Sequence, residues 1–184
     1  MSQRLFLISA GATGATRAGR FPVSDEPLER PDDMLPFRTV DHLLSGPELR
    51  CRQTAANLDT SGLVDEVDPR LADLGVGSWA GRDLPTLAVA DPAGLQDWMT
   101  DPAARPHGGE SLADLIARTA AFLADQPIGR IAAVTSAWVL KAALIQVLGG
   151  EPARIFDIDV GPLDVLELTG RDNRWRLRRL GPLG

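Results

Sequence analysis

Residues 131–135, Ile-Ala-Ala-Val-Thr, form an unbroken apolar run closed by a hydroxyl, and no other stretch constrains the fold more. A short run without polar alternation belongs to a strand covered on both faces, the habit of parallel sheets enclosed by helices. Residues 4–8 repeat that pattern and residues 40–44 supply a further strand. Between them lie helical signals. Ser111 is placed as an N-cap before Leu112, Leu115, Ile116, Thr119, Phe122 and Leu123, with Pro127 as the stop. Residues 139–148 read as a second buried helix closed by Gly149-Gly150. Residues 164–168 and 175–180 read as a closing hairpin around Gly170-Arg171-Asp172-Asn173. The alternation predicts an α/β fold of three layers, a mostly parallel sheet flanked by helices.

At 184 residues and 44% hydrophobic, the chain suits one domain spanning residues 1–184. A net charge of −6 without a Lys/Arg-rich stripe argues against nucleic acid as a partner, because phosphate-backbone binding needs clustered cations. Arg174, Arg176, Arg178 and Arg179 are read as the solvated face of a terminal strand. Cys51 is the sole cysteine, so no intrachain disulfide or cysteine-based zinc site is available; no metal or cofactor is expected. With no signal-peptide pattern and no apolar run near ~18 residues, a cytoplasmic protein without membrane association is the expectation.

Five segments in fixed order carry more specific information. They are Leu5-Phe6-Leu7-Ile8-Ser9-Ala10-Gly11-Ala12-Thr13, Ser45-Gly46-Pro47-Glu48-Leu49-Arg50-Cys51-Arg52-Gln53-Thr54-Ala55, and Leu71-Ala72-Asp73-Leu74-Gly75-Val76-Gly77-Ser78-Trp79-Ala80-Gly81. Pro106-His107-Gly108-Gly109-Glu110-Ser111 and Ile131-Ala132-Ala133-Val134-Thr135-Ser136-Ala137 complete the set. Together they resemble the histidine phosphatase, or phosphoglycerate mutase-like, superfamily. That resemblance puts Arg50 on the catalytic arginine and Asp73 on the acidic proton donor. Arg20 falls on a substrate-side arginine, and Glu110-Ser111 on a Gly-Glu-Ser segment bordering the site. It also implies a histidine where this chain has Ala10, and a second where it has Ser136.

Those two positions decide the expected chemistry. The family's phosphoryl transfer uses an imidazole lone pair as nucleophile, and alanine has none. Loss of a covalent nucleophile costs about 10⁶ in rate, and each further electrostatic partner ~10²–10³. The expectation is a protein without phosphohistidine chemistry that binds a small anionic metabolite or serves as an interaction protein. A repurposed enzyme using Asp73 and His107 for acid–base chemistry on a carboxylated or phosphorylated small molecule is the alternative, and residual phosphomonoesterase activity ranks last. Expected binding residues are Ser9, Ala10, Gly11, Thr13, Arg20, Arg50, Glu110, Ser111 and Ser136, with the Gly11 loop presenting amides to the anion. Arg50 can clamp that anion or serve as a buried partner of Asp73; Asp73 can act as the acid or as a turn residue near Gly75 and Gly77. His107 can supply acid–base chemistry or stand as a solvent-exposed loop residue, while His42 reads as a structural imidazole in a strand. Trp138 and Lys141 would narrow the pocket or bring an ammonium to it.

Architecture departs from the family in one interval. Pro31 and Pro36 interrupt the region where the resemblance implies a first helix, and proline removes a donor and clashes with a helical path. The first helix is therefore expected to be shortened or missing, with Met34, Leu35 and Phe37 plugging the bared sheet face, or a second subunit covering it in a homodimer.

Overall fold

The computed structural model describes residues 3–37, 39–171 and 174–183. Strand β1 (Gln3–Ser9) runs through a loop into a four-residue helix α1 (Gly14–Arg17). After β2 (Leu35–Pro36) and β3 (His42–Ser45) come α2 (Leu49–Asn57), β4 (Leu58–Asp59) and β5 (Glu66–Val67). Helices α3 (Leu84–Ala90), α4 (Pro92–Thr100) and α5 (Leu112–Ala124) precede β6 (Arg130–Thr135) and α6 (Ala137–Leu148). The hairpin β7 (Asp164–Arg171) and β8 (Arg174–Pro182) ends the chain; its expected turn residues Asp172 and Asn173 lie outside the described residues.

Six strands form one sheet in the order β5-β3-β6-β1-β7-β8. The first four are mutually parallel, and β7 and β8 add antiparallel. The apolar runs occupy the centre, as expected of strands buried on both faces. Leu5, Leu7, Ile131, Ala133, Leu166 and Leu168 point into one cluster with Leu115 and Phe122 of α5 and Val139 and Leu140 of α6. Phe6, Ile8, Ala132, Val134 and Val165 point the other way, onto Cys51 and Ala55 of α2. Helices on both sides of a mostly parallel sheet are the three-layer α/β architecture that the sequence pattern predicts.

Local signals explain the helix ends. Ser111 accepts from the Asp114 amide and Asp114 reaches back to the Ser111 amide, a reciprocal capping box that starts α5. Gly149 closes α6 at φ 65°, where a side chain would be strained. Residues 29–37, in the interval where the first helix is expected to be shortened or missing, contain no helix, and the four-residue α1 lies before that interval. Leu35 and Phe37 cover the bared sheet face, Phe37 meeting Phe6 edge-on at 5.8 Å. Leu183 from the far end joins them, whereas Met34, expected as a third plug, is 65% exposed. No helix among the described residues is long and apolar enough to cross a membrane.

Candidate functional site

The sheet register builds the site. Ser9 pairs with Thr135 at the carboxyl ends of β1 and β6, and the Ala10 amide donates to the Thr135 carbonyl at 2.8 Å. Ala10 and Ser136 are thus the next residues of two adjacent parallel strands, at the edge where α/β sheets place their ligand crevices. A cavity of about 560 Å³ opens there. Ser9, Ala10, Gly11, Arg20, Arg50, Asp73 and Ser136 all line it, so five separate segments of the chain converge on one cavity. Phe21 and Trp138 form walls and leave the cavity open.

Arg50 sits in the first turn of α2 and is only 3% exposed. Its Nη2 lies 2.5 Å from Asp73 Oδ2, and its Nη1 donates to the Val23 carbonyl at 2.9 Å. Asp73 therefore serves as counter-ion to Arg50, and both sequence roles of Arg50 coexist: it borders the cavity and it is a buried ion-pair partner. The loop carrying Asp73 is held firmly. Glu48 Oε1 accepts from the Asp73 amide at 2.8 Å, and Arg118 donates to the carbonyls of Arg70 and Asp73 at 2.8 and 3.0 Å.

Several expected binding residues have other work. Glu110 grips Arg118 at 2.6 and 2.9 Å, and Ser111 caps α5; neither lines the cavity. Thr13 is fully buried as the N-cap of α1, in a box with Thr16, and also stands outside. Nor do the Ala10 and Gly11 amides face an anion, since the latter donates to Thr54 Oγ1 at 3.0 Å. A strand that ends by continuing its ladder has no amides left to form an anion nest.

His107 corrects the sequence reading most sharply. It is 3% exposed rather than on a solvated loop, and it lies outside the cavity lining. Its ring packs edge-on to Trp79 at 4.9 Å, and Nδ1 accepts from the Gly109 amide at 3.0 Å. Burial pushes its pKa below the ordinary histidine value. The loop around it is bolted to the Gly75 turn: a Cβ on Gly109 would come within 1.9 Å of the Gly75 carbonyl oxygen, and the Glu110 amide donates to that oxygen at 2.6 Å. His107 and Asp73 are therefore not brought together for proton transfer. His42, the other imidazole, is exposed at the start of β3.

Other groups complete the cavity. Ser136 is 6% exposed and precedes α6 without capping it; its Oγ is buried and has no hydrogen-bond partner. Lys141, one and a half turns further, is half-buried with Nζ 5.0 Å from the Trp138 ring centre. Burial lowers its pKa, against the opposing pull of Asp159. Trp98 from α4, with Phe156 and Asp159 from the segment after α6, was not anticipated, because no spacing in the sequence connects those segments. Arg20, Arg50 and Lys141 face Asp73 and Asp159, leaving these lining side chains with one net positive charge.

Comparison with known proteins agrees with this fold. Glucosyl-3-phosphoglycerate phosphatase of Mycobacterium tuberculosis is 33% identical over 84 residues, 45% of this chain and 38% of that protein's length. The solved mycobacterial glucosyl-3-phosphoglycerate phosphatase superimposes with a TM-score of 0.80 at 24% identity, covering 99% of this chain and 100% of that one. Alpha-ribazole phosphatase from Shigella flexneri gives 0.83 at 23% identity, covering 98% of each chain. A phosphoserine phosphatase mutant from Entamoeba histolytica, in complex with phosphoserine, gives 0.83 at 18% identity, covering 97% of this chain and 96% of that one. The family model for the histidine phosphatase superfamily, branch 1, matches residues 32–182, most of the chain, and the chain belongs to that superfamily.

Proposed function

We propose that this protein binds a small anionic metabolite in the old phosphatase cavity and does not form a phosphoenzyme. The observation that carries the reading is that Ala10 and Ser136, each one residue past the last pair of β1 and β6, stand together in the wall of the cavity. Neither side chain offers a nitrogen lone pair near neutral pH, so no phosphoramidate can form at either place. What remains suits binding: a buried hydroxyl without a partner at the N-terminus of a twelve-residue helix, and a net positive lining. Anions gain from such a terminus, and the Ser136 hydroxyl supplies a directed donor.

An acid–base enzyme would need a proton donor free of other commitments. Asp73 is held by Arg50 and His107 lies outside the cavity, so the binding reading is favoured. The test uses the purified protein with an aryl phosphate, several sugar phosphates and inorganic phosphate. No product above background, no acid-stable or acid-labile protein-bound phosphate, and a rise in melting temperature with inorganic phosphate are expected. Turnover that copurifies with the protein and is lost in Arg50→Lys would overturn the proposal.

A further inference from the structure

One end of the cavity is built unlike a site for a bare phosphate or a sugar. Trp98, Trp138 and Phe156 meet there pairwise edge-on, with centroids 5.5, 5.0 and 6.0 Å apart and interplanar angles of 67°, 74° and 81°. All three line the cavity, with Phe21 beyond them. Trp98, 2% exposed, backs the other two from the core, whereas Trp138 and Phe156 remain partly exposed, and a further arene can stack on them or present its edge to them. Lys141 and Asp159 are the charged groups on this side. A polyhydroxylated body would need a row of donors and acceptors along the wall, since polar groups taken from water without partners are penalised. The volume of about 560 Å³ also lies within the roughly 300–1,000 Å³ range that takes drug-sized ligands.

We infer that the occupant is a flat aromatic compound carrying one compact anionic group, a carboxylate or a phosphate. This rests on the anion-binding reading above. The anion sits at Ser136 and the start of α6; the arene lies against Trp138 and Phe156, which Trp98 backs from the core; Lys141, already over the Trp138 ring, pairs with the anionic end. Trp138 and Lys141 lie in the first turn and a half of the helix whose N-terminus carries the anion, so one rigid element sets the distance between the two subsites. Charge placed by Lys141 in a half-buried wall gains more from a ligand anion than it would in water.

The experiment titrates the whole protein with 1-naphthoate, 1-naphthyl phosphate, inorganic phosphate, glucose 6-phosphate and neutral naphthalenemethanol, read by calorimetry and tryptophan fluorescence. The better naphthyl anion should bind on the order of 30-fold more tightly than phosphate or the sugar phosphate, the gain for burying about 80 Å² of apolar surface. Which naphthyl anion is preferred distinguishes carboxylate from phosphate. Trp138→Ala and, independently, Phe156→Leu should each shrink that preference at least threefold, with melting curves establishing that the variants fold. Equal affinity for naphthyl and sugar phosphates, or a preference that survives both substitutions, would overturn this inference while leaving anion binding intact. Binding of naphthalenemethanol as tight as either anion, with no competition by phosphate, would instead overturn the anion reading on which it rests.

Discussion

Two walls of the cavity are made to opposite specifications. On the Asp73 side the donors are answered: Arg50 by Asp73 and Val23, Arg118 by Glu110 and two carbonyls, the Asp73 amide by Glu48, whose second oxygen, an acceptor, is buried without a partner. On the α6 side the Ser136 hydroxyl has no partner and the Trp98 indole N–H is buried without an acceptor. A network whose donors are committed before any ligand arrives behaves as scaffold. Unanswered donors beside a cavity are where a ligand gains most, since their desolvation is already incurred. The residues that match the family best are therefore the rigid frame here, and in the proposed reading the residues that depart from it are the ones a ligand meets.

Breaking the frame should have the largest effect. Arg50→Met leaves the Asp73 carboxylate and the Val23 carbonyl facing an apolar stub, with side-chain exposures of 4% and 14% across the original pair. Removing one member of a buried ion pair costs about 3–5 kcal/mol, whereas replacing both can be close to neutral. Urea unfolding should show a loss of that size for Arg50→Met and recovery of at least half of it in Arg50→Met with Asp73→Leu. A single-variant loss below about 1 kcal/mol would mean that solvent reaches the pair and that it is no frame at all.

A second, intermediate effect separates the frame from the ligand side by pH. Burial lowers the His107 pKa, so the folded state holds the ring neutral where the unfolded chain, with a value near 6.5, takes up a proton. The folded state binds fewer protons, and stability from this group is full above pH 6.5 and falls as pH drops through the depressed folded value. Stability should decline from pH 6.5 to 5, before most carboxylates titrate, and His107→Gln should flatten that slope while keeping an acceptor for the Gly109 amide. An unchanged slope in the variant would remove His107 as its source.

Much of the frame was legible because its signals are local. Apolar runs fixed β1 and β6, the capping box fixed the start of α5, and Gly149 fixed the end of α6. Pro31 and Pro36 correctly forbade a helix over residues 29–37, although Met34 points away from the face that Leu35 and Phe37 cover. Register also sets Ala10 and Ser136 side by side, one residue past the paired strand ends Ser9 and Thr135. His107 was misread because nothing in its own loop announces burial; Trp79 and Trp98, from two other segments, enclose it. Thr13, Glu110 and Ser111 were misread for a related reason, as a residue that caps a helix or clamps a loop near a site has the same sequence signature as one that touches ligand. The aromatic wall was invisible, because α4, α6 and the segment around Phe156 meet only in three dimensions.

Two serines with the same backbone role give the smallest and most discriminating effect. Ser111 and Ser136 each occupy the N-cap of a long helix, with ψ 161° in both. Ser111 accepts from the Asp114 amide and donates to the Asp114 carboxylate, so Ser111→Ala should cost about 1–2 kcal/mol, the usual price of a lost cap. Ser136 makes no capping bond, and its Oγ is buried without a partner. Deleting that hydroxyl removes a desolvated group and no interaction within the protein, so Ser136→Ala should change stability by less than about 0.5 kcal/mol, or raise it. Its effect should appear in binding instead: loss of one neutral hydrogen bond to the anion weakens phosphate affinity by roughly threefold to tenfold. Paired urea melts and calorimetric titrations of the two variants read both quantities. A cost at Ser136 equal to that at Ser111, with phosphate affinity unchanged, would make the serine a cap after all and would merge the two walls into one frame.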